Sequence, residues 1–294
     1  MLESVLSAAF IFQTIRICIP YLLPALGATF SERSGIVNIG LEGKMLLGAF
    51  ATVIGTYFSG NIYVGILCGM IAGILFSLVH GIISIVFKAN QIVSGVAINI
   101  FAFGLTKFLC SVIFNSSSNS PRITGFESAE IKFLGNPFLL LCLLAIIISW
   151  AVLFKTKFGL RLRACGENAE AADSSGIKVD FYRFAGTILC GMFCGLGGAW
   201  LALEQHSFTD GMTAGRGYIA LAAMIIGKWK PFNAAIACLL FAFAESLTIQ
   251  FQSSFIPTQF VQMLPYVLTI IVLAGLIGKS TPPASCGIPF EKKR

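Results

Sequence analysis

Residues 137–178 read Pro137-Phe-Leu-Leu-Leu-Cys-Leu-Leu-Ala-Ile-Ile-Ile-Ser-Trp-Ala-Val-Leu-Phe154, then Lys155-Thr-Lys-Phe-Gly-Leu-Arg-Leu-Arg-Ala-Cys-Gly-Glu-Asn-Ala-Glu-Ala-Ala-Asp-Ser-Ser-Gly-Ile-Lys178. The first run carries no charge and approaches the roughly 20 apolar residues that a helix needs to cross lipid. The second, taken to Arg183, packs six basic and four acidic residues into 29, and apolar sequence resumes over Phe184–Leu203. Two spans joined by a charged, Ala-rich helical segment decide the fold class: an all-α, polytopic membrane protein. That charged segment reads as a handle gripped by something in the cytoplasm.

The rest of the chain agrees. It is 56% hydrophobic and 11% charged with a mean hydropathy of +0.87, more apolar surface than a soluble core of this length uses. Candidate spans fall near 4–28, 45–58, 62–87, 90–113, 137–154, 182–203, 215–228, 232–251 and 262–278, of which 45–58 and 215–228 are short. Lipid offers no partner to backbone amides, so each span is read as a helix. With the C-terminus inside, the inner connections and Arg183 hold 15 Lys or Arg, and the outer ones only Arg122, Lys132 and Arg216. The positive-inside rule then puts 155–183 in the cytoplasm. It also explains the net charge of +7 through lipid headgroups, without nucleic acid. Met1-Leu-Glu-Ser4 lacks a basic n-region, so the first span is expected to persist. No soluble appendage interrupts residues 1–294, which read as one transmembrane domain.

Small residues recur at packing spacing: Gly65, Gly69 and Gly73, and Gly191 and Gly195, suit close helix contacts within the chain. Met45–Phe50 echoes Met224–Trp229 in spans that cross in opposite directions, which suggests an inverted repeat. Of nine cysteines seven fall in spans, none forms Cys-x-x-Cys, and all are expected to act as small apolar residues. Gly278-Lys-Ser-Thr281 is no P-loop, because a Walker A motif needs glycine where Leu273 stands. His80 and His206 lack ligand-spaced partners. No catalytic set, metal site or cofactor is expected.

Glu170-Ala-Ala172, three residues, then Gly176 has the spacing of the EAA loop of ABC importer permeases, a short helix that docks in a cleft of the ATPase. Alanines permit close approach, charges set register, and Gly176 ends the helix. Three longer stretches strengthen the resemblance: Thr29–Ala49, Phe158–Ala172, and Gly215–Pro231. Together they resemble the nucleoside and simple-sugar branch of ABC importer permeases, which includes ribose and branched-chain amino acid relatives. Ser31-Glu-Arg-Ser-Gly35 and Gly227-Lys-Trp-Lys-Pro231 resemble one of the two dissimilar permeases of bacterial purine-nucleoside importers. The resemblance implies an importer permease fold of eight to ten spans in the bacterial cytoplasmic membrane. It further implies a second permease in a heterodimer, an ABC ATPase, and an extracytoplasmic substrate-binding lipoprotein.

On this reading Arg161, Arg163, Gly166, Glu167, Glu170, Ala171 and Gly176 form the ATPase-coupling surface. Polar residues at membrane depth are candidates for the path: Asn38, Glu42, Asn90, Gln91, Asn99 and Glu245, the last needing a partner such as Lys107 or Arg16. A neutral nucleoside suits Asn, Gln and aromatic side chains better than fixed charges. The alternatives are a simple-sugar or branched-chain amino acid permease, an ion-coupled secondary transporter using Glu245, and a membrane anchor with no path.

Overall fold

The structure is a computed structural model that describes residues 8–126, 137–251, 267 and 280–292. Ten helices carry most of them: α1 (Ala8–Arg33), α2 (Leu41–Ser59), α3 (Ile62–Gly81), α4 (Gln91–Phe114), α5 (Pro137–Lys155), α6 (Lys157–Glu167), α7 (Ala169–Ser174), α8 (Val179–Gln205), α9 (Arg216–Ile226) and α10 (Pro231–Phe251). A π-helical turn, Ile82–Val86, extends α3. Strands are absent from the described residues apart from one isolated bridge, Asn119 to Thr209. Among the described residues six helices are long and apolar enough to cross a membrane: α1, α3 with its π turn, α4, α5, α8 and α10. Spans expected at 45–58 and 215–228 exist as α2, which begins earlier and carries Glu42 and Lys44, and as the 11-residue α9. The span expected at 262–278 lies outside the described residues.

Helix starts are marked by side chains that replace missing intrahelical acceptors. The Asn61 carboxamide accepts from Tyr63 N at the head of α3, and Asn90 does so from Ile92 and Val93 N at the head of α4. Thr156 caps α6.

The bundle centres on α8, which packs against α1, α2 and α3. Glycine makes this possible. A Cβ on Gly73 would collide with the Gly191 backbone, one on Gly195 with Gly69, and one on Gly198 with Met45. The glycine faces therefore serve packing within the chain, as their spacing predicts. The sequence echo has no positional match: Met45–Phe50 lies in the first half of α2, whereas Met224 is near the end of α9 and Trp229 lies beyond it.

Two residues counted as edge or loop charges are interior. Lys44 is 0% exposed and Arg183 1% exposed. Their polar ends turn to Asn38 Oδ1 and to the Ile288 carbonyl respectively.

Candidate functional site

Three stretches distant in sequence meet at one end of the bundle. α1 ends at Glu32 and Arg33, beside the turn at Gly227–Lys230. There Lys228 and Trp229 both adopt φ +54°, bringing their carbonyls toward Arg33. The Trp229 indole N–H donates to Glu32 Oε2 at 2.6 Å. Arg33 Nε donates to the Trp229 carbonyl at 3.1 Å, and Nη2 to that of Lys228 at 3.4 Å. Arg33 Nη1 lies 3.5 Å from Glu167 at the end of α6.

α6 and α7 form a bent pair hinged on Asn168, whose N–H closes α6 on the Ala164 carbonyl while its side chain caps α7 at Ala171 N. α7 stops where expected. Ile177 N donates back to the Ala172 carbonyl across Gly176 at φ +79°, a glycine-type helix termination. Of the seven predicted coupling residues, Arg161, Glu167, Glu170, Ala171 and Gly176 are exposed. Arg163 is half-buried with its guanidinium 4.7 Å from the Phe154 ring centroid. Gly166 is buried because a Cβ there would strike the Arg33 carbonyl. A groove of about 620 Å³ runs beside Leu160, Arg161, Gly176 and Phe181.

The segment 280–292, which carried no expectation of structure, lies across this end. Ser285 N donates to the Gly166 carbonyl at 2.8 Å, and its hydroxyl accepts from Ala169 N. Gly287 N reaches the Gly35 carbonyl, Ser280 Oγ that of Ile225, and Lys292 pairs with Asp173. Lys88 pairs with Glu291. Burial pushes the Cys286 thiol up to about 12. No charge pattern in this stretch could have announced these backbone contacts.

Two non-helical segments, 34–40 and 206–215, approach one another where each gives way to a helix. Glu42, on the first turn of α2, accepts from Gly215 N at 2.8 Å and from Gly217 N at 2.6 Å, capping α9. Asn99 caps α2 in turn, accepting from Gly43 N at 2.8 Å, and its amide donates to the Ile39 carbonyl and the Tyr218 hydroxyl. Asn38 is buried between Lys44 Nζ, at 2.6 Å, and Cys190 Sγ, at 3.2 Å. Gln91 accepts from Val37 N, and His80 bridges Ser94 and the Val37 carbonyl. Asn90 stays apart as the exposed cap of α4.

Glu245 is partnered by neither Lys107 nor Arg16. Arg216 lies 3.2 Å from it, and Tyr21 donates its hydroxyl to it. Lys107 pairs with Asp210, and Arg16 with Glu204. Arg216, counted among the outer-connection charges, opens α9. A lone arginine and a lone glutamate in neighbouring apolar stretches were the available signal. Among the described residues no group of acidic, His and Cys side chains could hold a metal.

The sequence profile of the permease components of branched-chain amino acid transport systems matches residues 10–273. The chain belongs to this permease family. It is 42% identical to the guanosine ABC transporter permease protein NupQ of Bacillus subtilis, over 93% of each chain. It is 40% identical to the nucleoside ABC transporter permease protein NupC of Lactococcus lactis, over 94% of each. A second B. subtilis guanosine permease, NupP, is 29% identical over 79% of this chain and 71% of its own length. Among solved structures, a metal-chelate-type ABC transporter in an inward-facing conformation superposes with a TM-score of 0.53 at 14% identity, covering 92% of this chain and 87% of the other. That likeness concerns the fold alone. The chain is thus a multi-pass ABC-transporter permease.

Proposed function

We propose that this permease carries nucleosides, purine nucleosides in particular, into the cell as the membrane subunit of an ABC importer. The observation that carries the reading is its likeness, over nearly the whole chain, to permeases named for guanosine and for nucleosides. Residues 1–294 act as one permease domain in the cytoplasmic membrane, paired with a second, dissimilar permease. An extracytoplasmic lipoprotein delivers the solute. By the positive-inside rule, the excess of basic residues at the α6–α7 end supports a cytoplasmic position for that end and for the C-terminus.

A separate ABC ATPase supplies the hydrolysis and docks on α6 and α7. Arg161, Glu170, Ala171 and Gly176 meet it directly, while Arg163, Gly166 and Glu167 hold the helices to the bundle. A stroke there reaches the membrane interior through Arg33 and the 227–230 turn, and the spans alternate between outward- and inward-facing states. Asn38, Glu42, Gln91 and Asn99 shape the path from behind, Asn90 stands at its cytoplasmic edge, and Glu245 borders it. Glu245 is charge-balanced by Arg216, which suits a structural ion pair better than a proton carrier and favours ATP-driven over ion-coupled transport.

The test is reconstitution with the second permease, ATPase and lipoprotein, then uptake of labelled guanosine, ribose and leucine with and without ATP. ATP-dependent guanosine uptake is expected. Uptake of ribose or leucine alone would reassign the substrate, and gradient-driven uptake by this chain alone would overturn the reading. Glu170→Lys and Gly176→Leu should insert normally yet lose both ATPase co-purification and uptake.

A further inference from the structure

On one side of the molecule α4 runs along the segment 210–218 in a fixed register. Asn99, Phe103 and Lys107 stand at i, i+4 and i+8, on one helix face. Opposite them, in reverse order, are Tyr218, Gly211 and Asp210. Asn99 Nδ2 donates to the Tyr218 hydroxyl at 3.0 Å. A Cβ added to Gly211 would lie 3.5 Å from the Phe103 ring. Lys107 Nζ lies 3.6 Å from Asp210.

This seam is open. Tyr218 is 47% exposed, Phe103 38%, and the Lys107 side chain 59%. Counted from Gln91 at 1.5 Å per residue, Asn99 and Lys107 lie about 12 and 24 Å along the helix, within a hydrocarbon layer about 30 Å thick. An exposed ion pair and the exposed turn at Ala214, where φ is +46°, cannot face lipid without heavy desolvation cost. Other exposed faces are lipid-like: α3 presents Val64, Leu67, Ile71, Leu75 and Val79.

We propose that this seam lines the translocation path, with Tyr218 and Phe103 offering ring faces to the planar base of the passing nucleoside and the second permease closing the opposite wall. The assignment rests on the nucleoside reading above. Its chemistry follows from what the seam presents. Two aromatic faces tolerate any base. The Tyr218 hydroxyl accepts from Asn99, and its own proton has no acceptor among the described residues, so it is available to a solute oxygen or nitrogen. Asn99, its amide spent on Ile39 and Tyr218, is a positioning residue for that ring.

The test uses the complete transporter in proteoliposomes. Tyr218→Ala should raise KM for guanosine about tenfold with little change in kcat, and Tyr218→Phe should shift it less. The thiol of Tyr218→Cys should react with a water-soluble methanethiosulfonate above the wild-type background, and saturating guanosine should slow that reaction. Absence of labelling would mean that lipid or another part of the chain covers the seam, and would overturn the proposal. Labelling without protection, combined with an unchanged KM, would overturn it as well. Wild-type transporter that carries no nucleoside would sink the substrate reading and the ring assignment together. Normal wild-type uptake with indifferent variants would sink the seam alone.

Discussion

The two non-helical segments that meet inside the bundle are held by different kinds of contact. Residues 34–40 are buried or nearly so and are held by side chains from elsewhere: Gln91 and His80 on Val37, Lys44 on Asn38, Asn99 on Ile39. Residues 206–215 are more exposed and combine backbone turns, with positive φ at His206, Gly211, Ala214 and Gly215, with bonds to the 118–123 loop at Ser118, Ser120 and Ile123. The helix that follows the second segment even borrows its cap, Glu42, from the helix that follows the first. One segment is a fixed frame; the other presents a surface. Non-helical backbone within a membrane is tolerated either inside protein or beside water; 34–40 meets the first condition, and the proposed path would give 206–215 the second.

The sharpest way to break the contrast is at the shared cap. Glu42→Ala leaves two N–H groups without their acceptor and should cost about 3 kcal/mol, read as a lowered melting temperature of the purified protein in detergent. Glu42→Gln, which keeps one acceptor, should fall between. An unchanged melt in Glu42→Ala would show that α9 needs nothing from α2. Asn99→Ala removes the cap of α2 and the tie to Ile39, for about 2 kcal/mol, and should also loosen Tyr218. Within 206–215 the backbone turns should matter more than side chains. Gly215→Ala, at φ +82°, should cost about 1 kcal/mol, and Ala214→Gly should recover a similar amount by chemical denaturation. The smallest effect is expected at Lys44→Met. It leaves the buried Asn38 Oδ1 without its donor but also removes a buried ammonium that has no carboxylate partner among the described residues, and the two effects should offset to within about 1 kcal/mol. A large loss there would mean that the frame depends on the charge.

Much of the fold was legible because lipid reduces it to apolar length, and the charged 155–183 segment was legible because it interrupts that pattern. The α7 stop at Gly176 could be read from one glycine after an Ala-rich turn. What the pattern hid were pairings across long separations. Glu42 and Gly215 are 173 residues apart, and nothing local to either says that a carboxylate will cap a helix rather than line a path. The pairing of Arg216 with Glu245 was hidden for a related reason: hydropathy marks where a span is, not which charges meet across it. The resemblance flagged Ser31–Gly35 and Gly227–Pro231 separately, and only the structure shows Trp229 and Arg33 joining them.

The segment 280–292 has a consequence in time. It leaves the ribosome after every helix described here, yet Ser285 ties α6 to α7 and Gly287 ties that end to Gly35. The face proposed to receive the ATPase is therefore finished last. A nascent chain with its helices already inserted would still lack that brace, so motor recruitment would await synthesis of residues beyond Gly287. Partly made permeases would then not compete for the ATPase.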